Sequence, residues 1–431
     1  MLHIDRNTFR NIFINHWAFF LIRYPSYLKP HIMDVVNKML GCGKESGGYS
    51  EFSCFDCGRD VRRIAFTCKS SFCLSCSKVY TEKFVTKVSK SLHPGLRYRH
   101  IILTVPDKLR PSFYSNRFTC EILTQFMSCG YKCLEDVVCK AVKCKVKIGA
   151  IVVVQTFGRS GHFNPHLHVI MTSGGIDEAT GKWVELGYFP YEILHKKWQY
   201  YLFKMLKEVS PTSKMRSLIH ELYKAYPKGL VAHVTKGKVP EQCSGLARYL
   251  AKYVASPPIA ISRILSYKDS KVTYWYKDHQ TGKEVVTVDV MTFIGRMVQH
   301  ILPKGFKRIR YYGLQATTNA KQCKELITKG LLRVGRSIKG TYEIVAFKKY
   351  RERYRDTTGR DPLICKFCGS EMTLARVWLP KYGTIFDEWE ELKAGKYGKA
   401  TDRDDTATGR DRHPLRPTAE GVPLPLSLLW D

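Results

Sequence analysis

The chain has 431 residues, room for about three domains of ordinary size. With 44% hydrophobic and 12% aromatic residues it can bury a substantial core, which excludes wholesale disorder. It carries 70 Lys and Arg against 38 Asp and Glu, a net charge of +32, so the expected partner is a polyanion, with nucleic acid ahead of an anionic membrane surface.

Residues 1–50 read as helical, with Ile32, Val35, Val36 and Met39 at helix spacing. The stretch Trp17 to Ile22 is too short to span a bilayer, and the opening residues lack the charged-then-apolar order of a signal peptide. Gly41 to Gly48 breaks the pattern, and residues 51–78 hold five cysteines. Thr81 to Lys90 reads as a short basic helix ended by Pro94. From Arg97 the period changes. Tyr98 to Val105, Ile148 to Phe157 and His166 to Thr172 read as strands, the second buried; Gly229 to Thr235 is a further candidate. Phe118 to about Lys140 and Tyr191 to Val209 read as helices. Ser244 to Ala255 is a third, with Ser244 as its cap and Pro257-Pro258 as its stop. Val272 to Tyr276 and Val285 to Val290 flank a polar turn and read as a hairpin.

Interleaved strands and helices predict an α+β domain over residues 95–300. A helical and cysteine-bearing module at 1–90 precedes it. A basic segment at 301–380 follows, with Lys304, Lys307, Arg308 and Arg310 as candidate phosphate contacts, and residues 381–431 read as a disordered tail.

Fifteen cysteines, an odd number crowded into one region, argue for a reducing compartment and a metal site over a disulfide framework. Cys120, Cys129, Cys133, Cys139 and Cys144 read as small hydrophobes. Cys54-Phe55-Asp56-Cys57 and Cys73-Leu74-Ser75-Cys76 are two C-x-x-C knuckles. Each can present two thiolates, and two such turns close a tetrahedral zinc site with no open position, hence structural. Cys68 is a spare or an alternate ligand. Cys365-Lys366-Phe367-Cys368 is a third knuckle with no partner pair near it in sequence. It is half of a second site or an unliganded pair.

His166-Leu167-His168 lies in an extended segment, so the two imidazoles share one strand face and can grip one divalent cation while leaving positions for a phosphate. Leu167, Val169 and Met171 then face the core. By itself the pattern also fits two ordinary surface histidines. Gln155, the polar residue that ends the run Ile151 to Val154, is a candidate third ligand if the two strands pair, or an edge glutamine bonded to backbone. His162 and His233 are weaker candidates.

In the helix from Ser244, residues Leu246, Tyr249, Leu250, Tyr253 and Val254 fall on one face. Spacing alone makes the tyrosines core residues. Two hydroxyls packed over a metal-binding strand also suit tyrosine nucleophiles, which store the energy of a cut phosphodiester as a phosphotyrosine.

In this order, His166-Leu167-His168 with Tyr249 and Tyr253 resembles the two-tyrosine HUH endonucleases. Several strings resemble the rolling-circle transposases of the insertion-sequence 91 family: Val154-Gln155-Thr156-Phe157-Gly158, Asn164-Pro165-His166-Leu167-His168-Val169, Tyr249-Leu250-Ala251-Lys252-Tyr253-Val254, Pro258-Ile259-Ala260-Ile261-Ser262, and the run from Gln299 to Gly313. The early cysteines and the late C-x-x-C match the family's order, so the resemblance spans about residues 50–370. One departure is Phe72-Cys73-Leu74-Ser75-Cys76, where the family usually reads His-Cys-Pro-x-Cys.

The resemblance implies an α+β HUH nuclease core, a central antiparallel sheet with packed helices, plus an N-terminal zinc-binding module. It implies a transposase that cleaves and rejoins single-stranded DNA of element ends and target through 5′-phosphotyrosine at Tyr249 and Tyr253. His166, His168 and Gln155 would hold Mg²⁺ or Mn²⁺, and Cys54, Cys57, Cys73 and Cys76 would hold structural Zn²⁺; Lys252, on the tyrosine-bearing helix, reads by itself as a DNA phosphate contact or a solvated residue. The setting would be the bacterial cytoplasm, at the nucleoid. Competing readings are a plasmid replication initiator or relaxase with the same site, and a zinc-containing DNA-binding regulator without catalysis.

Overall fold

A computed structural model describes residues 5, 7–235, 239–240, 242–254, 257–278, 281–336 and 345–393. The chain divides into two compact units, Met1–Leu40 with Cys68–Ala346, and Gly41–Thr67 with Phe347–Asp431. This differs from the boundaries expected from sequence. The segment 1–90 is shared between the units, and the basic segment after residue 300 begins as part of the first.

Strands are numbered in chain order: β1 (Tyr49–Ser53), β2 (Val61–Ala65), β3 (Tyr98–Thr104), β4 (Val146–Phe157), β5 (Phe163–Asp177), β6 (Trp183–Glu185), β7 (Ala232–Val234), β8 (Ile264–Lys268), β9 (Lys271–Lys277), β10 (Lys283–Asp289), β11 (Ile309–Gly313), β12 (Thr373–Leu379) and β13 (Gly383–Asp387). In the first unit a six-stranded sheet runs β11-β4-β5-β3-β7, with β6 on β5, and every pairing is antiparallel. The apolar, β-branched run that forms β4 suits a strand covered on both faces.

The alternation of the pleat divides the core. Leu103, Val152, Val154, Leu167, Val169 and Met171 point to one face, beneath the helices Glu121–Val142 and Tyr191–Val209. Ile151, Val153 and Ile170 point to the other, where the helices Ser77–Ser89, Cys243–Val254 and Ala320–Leu332 bury Val88, Leu246, Leu250 and Leu331. The helix Glu121–Val142 comes very close to β5, because a Cβ at Gly130 would lie 2.5 Å from Leu167 Cδ1. Strand β11 extends the sheet past residue 300, so the expected domain end there falls inside the core.

The other elements agree with the sequence reading in kind and differ at their ends. Strand β5 is longer than expected, because Phe163 already pairs with Phe157 across the turn. The tyrosine-bearing helix begins at Cys243, which puts Ser244 in its first turn. The expected hairpin is a three-stranded meander, β10-β9-β8. After it, Asp289 caps a helix, Val290–Val298, by accepting from the Met291 N–H. The helix Ser213–Ala225 was not anticipated; Thr212 caps it.

In the second unit the sheet is β13-β12-β1-β2. Gly383–Asp387 and the helix Glu388–Lys393 thus occupy part of the expected tail, and its remainder, 394–431, lies outside the described residues. Among the described residues no helix is long and apolar enough to cross a membrane.

Candidate active site

In the first unit, antiparallel register sets Gln155 directly opposite His166, and Val153 opposite His168. Because side chains alternate, Gln155, His166 and His168 all point to the face that carries the helix Cys243–Val254. His168 Nε2 lies 3.1 Å from His166 Nε2 and 3.1 Å from Gln155 Oε1. Cis ligands of an octahedral ion bound at about 2.1 Å are about 3 Å apart, so the spacing fits a divalent cation.

Proton placement supports that fit. His166 Nδ1 lies 2.8 Å from the Asn164 carbonyl. A carbonyl only accepts, so this nitrogen carries the proton and Nε2 keeps its lone pair. Gln155 donates through Nε2 to the Tyr253 carbonyl at 3.1 Å, which turns Oε1 toward the histidines. Burial lowers the affinity of all three nearby imidazoles for a second proton. His166 is lowered, and His168, only 4% exposed, is pushed well down, first by burial and then by its histidine neighbours. His100 is pushed down to about 4 by burial. Neutral imidazoles with free lone pairs are the form that binds metal.

The helix Cys243–Val254 lays both tyrosines over this cluster. The Tyr253 ring stacks on His168 with centroids 4.4 Å apart, and the Tyr249 and Tyr253 rings meet edge to face at 5.4 Å. Burial, and then the Tyr249 hydroxyl, pushes Tyr253 up to about 12, so at neutral pH it rests as the phenol. Tyr249 Oη lies 2.7 Å from His100 Nδ1.

His100 was not singled out in the sequence. It belongs to β3, whose register against β5 puts Ile102 opposite His168, and only that register brings it to the site. His162 instead meets Ser160 at 2.9 Å, and His233 lies on the edge strand β7, exposed.

The proposed basic contacts are not one patch. Lys252, Lys304 and Lys307 are exposed. Arg308 lines a cavity of about 140 Å³ with Ser70, Ser71, His300 and Phe306. Its buried Nε has no hydrogen-bond partner among the described residues. Arg310 lies on β11 with its side chain on the face away from the histidines, where it donates to Thr124 Oγ1 at 3.1 Å.

The cysteine pairing expected from sequence is corrected. Cys54, Cys57, Cys73 and Cys76 do not come together. Cys54 and Cys57 gather with Cys365 and Cys368 in the second unit. The knuckle 54–57 follows β1 and the knuckle 365–368 precedes β12; β1 and β12 pair with Ser53 opposite Thr373, so both turns lie at one end of the sheet. Sulfur–sulfur distances of 3.4 Å (Cys54 to Cys368), 3.6 Å (Cys57 to Cys54) and 3.6 Å (Cys57 to Cys365) suit four thiolates on Zn²⁺, which stand about 3.8 Å apart.

Each knuckle closes on a glycine at positive φ, Gly58 and Gly369. The buried Asp60 carboxylate binds the two turns, accepting from the Lys366 N–H at 2.9 Å and from Arg62. The backbone N–H of Ser370, then its side chain, holds the Cys368 thiol down to about 6, which favours thiolate. In the first unit Cys73 and Cys76 gather instead with Cys68, the sulfurs of Cys68 and Cys76 lying 3.6 Å apart.

Two family models match the chain, over ranges that do not coincide with the two units. Residues 149–323 match a family model described as "Putative transposase", and residues 12–105 match the insertion-sequence 91 "Transposase zinc-binding domain". The chain is 27% identical over 353 residues to the "Transposase for insertion sequence element IS801" of Pseudomonas savastanoi pv. phaseolicola, covering 79% of this chain and 82% of that protein. It is 26% identical over 347 residues to the "Putative transposase y4qJ" of Sinorhizobium fredii (strain NBRC 101917 / NGR234), covering 75% and 83%. No solved structure shows significant similarity to it.

Proposed function

Since the chain belongs to the insertion-sequence 91 family of transposases, we propose that it acts as an HUH endonuclease, cutting and rejoining single-stranded DNA at element ends and target through Tyr249 and Tyr253. One observation carries the reading. Three potential ligand atoms, Gln155 Oε1, His166 Nε2 and His168 Nε2, converge directly under the helix face that bears both tyrosines.

His166 and His168, with Gln155, would hold Mg²⁺ or Mn²⁺. A cation there withdraws charge from the oxygens of the scissile phosphate. The chain's own groups do the rest. A tyrosine oxygen attacks phosphorus and loses its proton, the bond from phosphorus to the 3′ oxygen breaks, and that oxygen leaves protonated as the 3′ hydroxyl. The product is a 5′-phosphotyrosine. A freed 3′ hydroxyl reverses the step and rejoins strands. Tyr249 and Tyr253 are one helical turn apart, about 5.4 Å along the axis, so one can hold a strand while the other cuts. Gln155 pins the helix to the sheet by its bond to the Tyr253 carbonyl.

The cysteines are structural in this reading. Four thiolates at Cys54, Cys57, Cys365 and Cys368 leave no open position for a substrate. Cys68, Cys73 and Cys76 would contribute to a further zinc site. Arg308, which has an unpartnered Nε and lines a cavity together with Ser70 and Ser71, is suited to a DNA phosphate, as are the exposed Lys252, Lys304 and Lys307. The enzyme would act in the bacterial cytoplasm, at the nucleoid.

The test uses the full chain, a labelled single-stranded element-end oligonucleotide and Mn²⁺, resolved on a denaturing gel. A covalent band is expected, absent from the double variant Tyr249→Phe/Tyr253→Phe. An adduct in the double variant removes both tyrosines from the mechanism. Strand transfer between element-end and target oligonucleotides separates transposition from replication initiation.

A further inference from the structure

His100 is buried, 1% exposed, and no acidic side chain is paired with it among the described residues. Its two ring nitrogens reach in opposite directions. Nε2 lies 3.0 Å from His168 Nδ1. Nδ1 lies 2.7 Å from Tyr249 Oη and 3.0 Å from Thr235 Oγ1. Tyr253 meets His100 only ring to ring, with centroids 4.8 Å apart.

We propose that His100 is a positioning residue that couples the proton on His168 to the hydroxyl of Tyr249 in preference to that of Tyr253. The inference rests on the tyrosine reading above and assigns the two tyrosines unequal roles.

Counting protons gives two arrangements of the chain His168–His100–Tyr249. In one, His168 Nε2–H donates to Gln155 Oε1, His100 Nε2–H donates to His168 Nδ1, and His100 Nδ1 accepts the Tyr249 proton. In the other, His168 keeps its proton on Nδ1 and donates it to His100 Nε2. His100 then carries its own proton on Nδ1, aimed at Tyr249 Oη. Only the second leaves a lone pair on His168 Nε2, as a bound cation needs. Cation binding therefore selects the arrangement in which a fixed N–H faces the Tyr249 oxygen, where charge grows as that phenol loses its proton. In passing from the first to the second, the Tyr249 proton moves to His100 Nδ1, the His100 Nε2 proton moves to His168 Nδ1, and the proton on His168 Nε2 is released to solvent water, so the two arrangements differ by that one proton.

The test has two readouts. The first is Mn²⁺ affinity by electron paramagnetic resonance, without DNA. His100→Ala should weaken it roughly 10–100-fold, the usual cost of losing the partner that orients a metal-binding histidine. His100→Asn keeps an N–H near the Nδ1 position and does not reach His168, so it should weaken Mn²⁺ to a similar extent.

The second readout is the rate of adduct formation at saturating Mn²⁺ and oligonucleotide in the two single-tyrosine backgrounds. With Tyr253→Phe, where Tyr249 alone can attack, His100→Ala should slow the adduct on the order of 10²-fold, as a misplaced reacting group does, and His100→Asn should recover much of it. With Tyr249→Phe the same substitutions should have little effect. A folding defect would strike both backgrounds alike, so equal slowing in both overturns the proposal, as does an unchanged Mn²⁺ affinity. If His100 is intact and neither background forms an adduct, the tyrosine reading itself fails and takes this inference with it.

Discussion

In the first unit, Gln155, His166 and His168 come from two neighbouring strands joined by one turn, and their convergence follows from the pleat. In the second, Cys57 and Cys365 meet although 308 residues separate them, because two hairpin ends lie side by side in one sheet. The first set occupies one side of a candidate ion and leaves the tyrosine side open. The second surrounds its centre with four sulfurs and leaves nothing open. Both gather electron-pair donors, and the difference in enclosure is what separates a place for chemistry from a clamp for folding.

The largest effect should come from the open set. His166→Ala or His168→Ala should abolish cleavage while single-strand binding, carried mostly by the basic surface, stays nearly intact in a filter-binding or anisotropy assay. Gln155→Ala should give partial loss, since the imidazoles remain. Full cleavage in the double histidine variant would erase the distinction between the two clusters.

The closed set should answer to metal content. Cys365→Ser or Cys368→Ser should lower zinc by about one ion per chain and loosen the second unit, because binding energy at a structural zinc is folding energy. Elemental analysis with proteolysis of the full chain reads both. Zinc content unchanged in both variants would return the clamp to the pairing expected from sequence.

Packing beneath the open set should matter next. Leu167 lies between the two histidines, is fully buried and abuts Gly130. Leu167→Ala should cost about 2–5 kcal/mol in stability by chemical denaturation. The smallest effect concerns charge. Replacing Lys304, Lys307 and Arg308 by Gln should flatten the plot of log affinity against log salt by about 0.7 per lost single-strand phosphate contact. Arg310→Gln should leave the slope unchanged, because that side chain is engaged with Thr124 on the far face.

What was legible in the sequence was local. The period-two face of β5, the apolar run of β4 and the helical face holding Tyr249 and Tyr253 depend on neighbours within a few residues, and the structure gives them the expected elements. Which strands pair, and in what register, depends on contacts far apart in the chain. The role of His100 is therefore not legible locally: its strand is, but nothing in Tyr98 to Val105 reveals that Ile102 faces His168. The cysteines show the same limit. A C-x-x-C turn announces two thiolates, and proximity in sequence paired Cys54-Cys57 with Cys73-Cys76. Pairing of β1 with β12 chose Cys365 and Cys368 instead.

The account stands on tyrosine chemistry at the open cluster, and locating the covalent link tests it most directly. The full chain would be reacted with a single-stranded element-end oligonucleotide and Mn²⁺, digested with nuclease and protease, and the modified peptide sequenced by mass spectrometry. The account predicts a 5′-linked nucleotide on Tyr249 or Tyr253, within the helix Cys243–Val254, and none elsewhere. A nucleotide on any other side chain, or efficient cleavage with no linked peptide, would contradict it.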